Sequence, residues 1–224
     1  MAASALALAM VSCNSYYHMH LAGAEAGKAE DQYAIGSCYF DGKAPGGMVN
    51  KAKAAEWFMK SAQQGNVKAQ NKLGQMYEKG EGLPQDDEKA LQWYKRAALQ
   101  GYSEAQYNLG KFYQNLDQSG GFDVDSEEHR RYARLEEEAA KWYRMAAEQN
   151  HARAQHELGL IYIRAATNNN HRDKVRVNLG GNMMDVQKYR DTGLEWMRKA
   201  AAQGDPKHIE LYQWHCREKH PWSY

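Results

Sequence analysis

Apolar and small residues recur along this chain with a helical period, and they return as two alternating phrases. AQNKLGQMY (Ala69 to Tyr77), AQYNLGKFY (Ala105 to Tyr113) and AQHELGLIY (Ala154 to Tyr162) each set Leu, Gly and Tyr at i, i+1 and i+4. Those offsets share one face of an α-helix. A looser form, QYAIGSCY, covers Gln32 to Tyr39. Each is answered by a second phrase: AAEWFMKSAQQG (Ala54 to Gly65), ALQWYKRAALQG (Ala90 to Gly101), AAKWYRMAAEQN (Ala139 to Asn150) and GLEWMRKAAAQG (Gly193 to Gly204). The pattern predicts alternating helices, A and B. Small residues such as Gly74 and Ala97 let the two approach, while Tyr77 and Trp93 fill the space beside them.

The spacing separates rigid from variable connections. Each B tryptophan precedes the next A glycine by 17 residues, from Trp57 to Gly74, Trp93 to Gly110 and Trp142 to Gly159. Within a pair the A-to-B interval varies: 21, 19, 32 and 37 residues, from Gly36, Gly74, Gly110 and Gly159 to the following tryptophan. The B-to-A turn is therefore tight, and insertions collect on the A-to-B edge, as a stacked array accepts them.

Between Tyr77 and Gly101, Gly80 and Gly82 resemble a phosphate-binding loop only superficially. No strand pattern precedes them and no Gly-Lys-Ser/Thr follows. They read as a turn out of helix A with Pro84, and Asp86 or Asp87 caps helix B.

These residues resemble the Sel1-like repeat, a relative of the tetratricopeptide repeat, over about residues 29 to 204. The A-x-x-x-L-G-x-x-Y, G-x-G and K-A-x-x-W-x-x-x-A-A-x-x-G elements stand in order from Ala69 to Gly101. The resemblance implies an all-α, right-handed α-solenoid of about four helix-turn-helix repeats (about 29–66, 67–102, 103–151 and 152–205). A C-terminal capping helix and tail (205–224) then close the array. The tail begins as a fifth A helix without a B phrase, and Trp214 and Trp222 are expected to pack down.

Composition fits a thin array with much surface. Hydrophobic residues make up 43% of the 224 residues, yet the mean hydropathy is −0.86. The net charge is +1, which gives no electrostatic footprint for nucleic acid or for an anionic membrane. MAASALALAMVSC (Met1 to Cys13) is too short to span a bilayer and has the length of a signal-peptide apolar region. Its MVSCNS ending resembles a bacterial lipobox, implying a lipidated Cys13, a tether over residues 14–26 and a periplasmic or outer-membrane location. A cytoplasmic capping helix is the alternative. Cys38 and Cys216 read as separate thiols. His208, His215, Cys216 and His220 match no zinc spacing, and no metal or cofactor is expected.

Placing the A helices on a concave side sends the residues three before and one after each glycine into a groove. These are Tyr33 and Ser37, Asn71 and Gln75, Tyr107 and Lys111, His156 and Leu160, then Glu210 and Trp214. Amphipathic anchors and adaptable amides of this kind suit a protein or peptide partner. SEEHRRYARLEEEAAKWY (Ser126 to Tyr143) reads as an N-terminal extension of helix B, and residues 166–185 as an Asn- and Gly-rich loop. No nucleophile, base and orienter fall into one set, so the chain reads as a non-enzymatic interaction scaffold. The resemblance further implies a possible role as an immunity protein against a secreted toxin. A peptidoglycan-directed binder or weak β-lactamase-like enzyme is the alternative, and no Ser-x-x-Lys-type motif supports it.

Overall fold

The computed structural model describes residues 15–117, 127–167 and 186–217. Cys13, Ser126, the loop over 168–185, His220 and Trp222 lie outside the described residues. Among those described there are ten helices and no strand. They are α1 (residues 15–25), α2 (Ala29–Phe40), α3 (Lys51–Gln63), α4 (Val67–Lys79), α5 (Asp87–Leu99), α6 (Ser103–Asp117), α7 (Glu127–Glu148), α8 (Ala152–Thr167), α9 (Val186–Ala201) and α10 (Pro206–Arg217). The A phrases form α2, α4, α6 and α8, and the B phrases form α3, α5, α7 and α9. The chain divides into two units, Met1–Ala105 and Gln106–Tyr224.

In the first unit, Asn50, Asn66 and Asp86 start α3, α4 and α5. Each side chain accepts the backbone N–H three residues on, from Lys53, Ala69 and Lys89, satisfying one donor that the first helical turn leaves open. Asp86 rather than Asp87 is thus the cap of α5. Gly80 ends α4 in the left-handed conformation, with φ 67°. Gly82 answers a different need, since a Cβ there would stand 2.4 Å from the Lys51 carbonyl carbon. The G-x-G is therefore one helix stop and one close approach of backbone to backbone.

The A glycine is fixed by the residue after each B tryptophan. A Cβ on Gly36 would stand 2.7 Å from the Phe58 ring, and one on Gly74 would stand 2.6 Å from that of Tyr94. In the second unit Gly110 meets Tyr143 at 2.8 Å and Gly159 meets Met197 at 2.5 Å. These four B residues are at most 1% exposed, whereas Trp93 and Trp142 stand nearer the rim at 9% and 6%. Tyr94, rather than Tyr77 and Trp93, thus fills the space beside Gly74. Its hydroxyl donates to Glu78 Oε2 at 2.6 Å, and that of Tyr143 donates to Gln114 Oε1 at 2.8 Å. Burial pushes both phenol pKa values up, which keeps both hydroxyls protonated as donors.

A second device was hidden in the letters AQ and QG. Gln32 and Gln70 donate to the Ala24 and Ala62 carbonyls at 3.3 and 3.1 Å, and accept from Gln64 and Gln100 at 2.7 and 2.8 Å. In the second unit Gln155 donates to the Ala147 carbonyl at 3.0 Å and accepts from Gln203 at 2.9 Å, while Gln106 accepts from Gln149 at 2.7 Å. The A-helix glutamines are at most 5% exposed, and Gln32, Gln70 and Gln155 each give a second hydrogen bond to a helix-end carbonyl that already accepts a backbone N–H.

The same device redefines the N-terminal region. Residues 15–25, expected as tether, form a helix whose Tyr17 and Ala24 are buried with Ile35, Cys38 and Ala44. The Gly27 N–H bonds the Ala24 carbonyl at 3.1 Å, as Gly65 bonds Ala62 at 3.0 Å. Helix α1 is therefore a B-type helix. In α7 the helix extends back to Glu127 over 22 residues, against 13 in α3 and α5. Cys38 is buried and Cys216 exposed.

Candidate partner-binding surface

With the seam defined by the glycines, helical geometry fixes how far each position turns away from it. At 100° per residue, the position three before the glycine lies roughly 60° from the seam and the position one after it roughly 100°. The burial follows that difference. Asn71 is 6% exposed, and Tyr107 and His156 are each 8% exposed. Tyr33 is half-buried, its ring 5.5 Å from that of Phe58. Tyr107 stacks on His151 at 5.0 Å with the Arg153 guanidinium 4.7 Å from its ring, and His156 meets His208 at 5.3 Å. These residues lie between helices.

The positions one after the glycine are more open. Lys111 is exposed, and Ser37, Gln75 and Leu160 are half-buried. The Ser37 hydroxyl is turned to the Tyr33 carbonyl at 3.0 Å. Glu210 is exposed, and so is Trp214, at 53%. Trp214 was expected to pack down. Instead it lies flank-out on α10, its ring 4.6 Å from that of His215, because its register sets it well off the seam.

The most open row of an A helix lies further round, at six and two before the glycine and at one and five after it. On α4 that row is Lys68, Lys72, Gln75 and Lys79. Lys68 and Lys79 are exposed, with no carboxylate at ion-pair distance among the described residues. Lys72 Nζ sits 3.8 Å from the centre of the Phe40 ring, and burial, opposed by Asp41 and Glu81, lowers its pKa. In the second unit the α8 row is Arg153, Glu157, Leu160 and Arg164. Burial raises the Glu157 carboxyl pKa against the pull of Arg164 and Lys111. The α4 row is therefore basic and the α8 row carries one net positive charge, whereas the same positions are Glu30, Ala34, Ser37 and Asp41 along α2 and Glu104, Asn108, Lys111 and Asn115 on α6. Sequence reading missed the α4 row because it placed the groove register next to the glycine, although counting around the helix from the Gly74–Tyr94 seam finds it.

No cluster of three metal-ligating side chains occurs among the described residues, and no described helix is long and apolar enough to cross a membrane.

The chain is similar to a protective antigen present in uropathogenic Escherichia coli strains, displaying an SLR fold. The identity is 31% and the TM-score 0.65, over 88% of this chain and 35% of that one. It is also similar to a Sel1 repeat protein from Oxalobacter formigenes, with 26% identity and a TM-score of 0.64, over 87% of this chain and 66% of that one. This chain thus spans about a third of the first relative and just under two thirds of the second. No curated protein matches it. The Sel1 repeat pattern matches residues 29–66, 67–102, 103–126, 134–151 and 181–205, more than half of the sequence, and the chain belongs to the Sel1 repeat family.

Proposed function

We propose that this chain is a non-enzymatic scaffold that binds a protein partner along the open row of α4, and that the partner segment is acidic. The observation that carries the reading is the α4 row, where Lys68 and Lys79 stand exposed beside half-buried Lys72 and Gln75. The A-to-B seam behind this row is closed by Gly74 and Tyr94, which leaves the row free to serve binding. An acidic segment would be steered to it and held by charge-assisted contacts, with Gln75 supplying adaptable hydrogen bonding. Tyr33, Ser37, Asn71, Tyr107 and His156 serve by fixing the helices.

The finer reading is an immunity protein held at the cell envelope by lipid on Cys13, with a secreted toxin as partner. The family resemblance and the MVSCNS stretch support it. Affinity capture from native cells, comparing the full chain with a Lys68→Glu, Lys79→Glu variant, tests the scaffold. A protein kept by the first and lost by the second, at unchanged melting temperature, supports the α4 row. Equal capture by both contradicts it. Identification of the captured protein as a toxin, with incorporation of labelled fatty acid that Cys13→Ser abolishes, carries the finer reading.

A further inference from the structure

Helix α10 packs against α9 and meets α8 through a pair of imidazoles. Its register puts His208 where α4, α6 and α8 carry Ala69, Ala105 and Ala154, each 0% exposed. His208 and His156 are both 8% exposed, with ring centroids 5.3 Å apart. The Nδ1 atom of each is buried without a hydrogen-bond partner. Most of the remaining side chains of α10 are exposed, Ile209, Leu211 and Trp214 among them. A buried polar atom left unmatched costs free energy, so this contact is held by packing of the rings and weakened by their nitrogens.

The charged surroundings offer a proton on His156 no partner. From α10, His208 and His215 act on it, each a further site of positive charge. Asp205, in the turn before α10, stands 3.9 Å from His208 Nδ1, beyond hydrogen-bond distance, and is half exposed. On α8 itself, burial raises the Glu157 carboxyl pKa, while Arg164, Lys111, His208 of α10 and Gln114 act against that rise. From α9, Arg198 acts on Tyr212 of α10 and adds positive charge. Burial first, then His208 and His215, push the His156 pKa down to about 4.

We propose that α10 is an acid-loosened cap: beside its packing on α9, the His156 and His208 rings join it to α8, and protonation of His156 breaks that join. This inference stands apart from the choice of partner. Released, the rings regain water and separate. The free state therefore binds more protons than the docked one, and docking weakens as pH falls from the ordinary histidine value of 6.5 toward about 4. One proton shifts such an equilibrium by at most about tenfold per pH unit.

Hydrogen–deuterium exchange on the full chain tests it, from about pH 7.5 to about pH 4.5, with rates corrected for the intrinsic pH dependence of exchange. Protection of residues 206–217 should fall by up to about tenfold per unit below about pH 6.5, while α4 stays level. His156→Leu, which takes no proton, should leave α10 protection independent of pH, with the helical circular-dichroism signal confirming the fold. If that variant unfolds, His156→Gln, which likewise takes no proton and keeps a polar side chain, should remove the slope instead. Level protection in the native chain, or an unchanged slope in either folded variant, overturns the proposal.

Discussion

The seam where α5 meets α4 and the seam where α10 meets α8 use corresponding register positions and opposite chemistry. At the first, Gly74 admits the Tyr94 ring, Ala69 is fully buried, and Gln70 ties Gln100 to the Ala62 carbonyl. At the second, Gln213 stands in the glycine position, His208 replaces the alanine and Ile209 replaces the glutamine. Ile209 is 36% exposed and has no side-chain amide to offer a carbonyl. A B helix cannot seat on α10 as α5 seats on α4, because Gln213 carries the Cβ that the four seam glycines lack. The difference teaches what the A register demands: three substitutions in one A phrase remove the glycine notch, the buried alanine and the glutamine clamp that α4 uses.

Removing the ring breaks the comparison most severely. Tyr94→Ala empties a fully buried site and should cost about 3–5 kcal/mol in urea unfolding, whereas Gln213→Ala, at an exposed position of α10, should stay within about 0.5 kcal/mol. Gly74→Ala forces a methyl group into the Tyr94 ring and should cost about 1–3 kcal/mol. Gln70→Leu removes one of two hydrogen bonds at the Ala62 carbonyl and at the Gln100 amide and should cost about 0.5–1.5 kcal/mol. Ile209→Gln, the reverse exchange on α10, should change little. Asn66→Ala, which removes the α4 cap, should cost about 1 kcal/mol. An equal penalty at paired positions would dissolve the distinction between the two seams.

The pH profile sharpens the same contrast. The folded pKa of His156 lies below its unfolded value, so the stabilising contribution of its neutral form is complete above about pH 6.5 and is lost as pH falls toward about 4. The interior seam carries phenols whose burial raises their pKa, and these stay neutral across that range. Mild acid should therefore loosen the α10 end while α4 and α5 hold, an outcome that local exchange rates can read.

Much of the fold was legible because the repeated phrases carried their own register. The constant interval from tryptophan to glycine, the loop-bearing edge and the cap on α5 all follow from letters at fixed spacing. What escaped was anything resting on a partner that the phrase does not name. The residue after each tryptophan varies among Phe, Tyr and Met, so the eye fixed on the constant Trp, although the variable neighbour presses on the glycine. The glutamine clamps read as composition until Gln70 and Gln100 were seen in contact across 30 residues. Helix α1 lacks the tryptophan phrase, and only its Ala24-to-Gly27 ending, matching Ala62 to Gly65, marked it as B-type. The candidate surface was the least legible part, because a turn of about 60° around the helix separates a buried Asn71 from an open Lys68.

Photo-crosslinking in native cells tests the central claim most directly, with a photoreactive residue placed at Gln75 on the open row of α4 or at exposed Gln92 on α5. The account predicts a discrete crosslinked protein from position 75 that is absent from position 92, and that is lost when Lys68 and Lys79 are changed to Glu. The same product from both positions, or from position 92 alone, would contradict it.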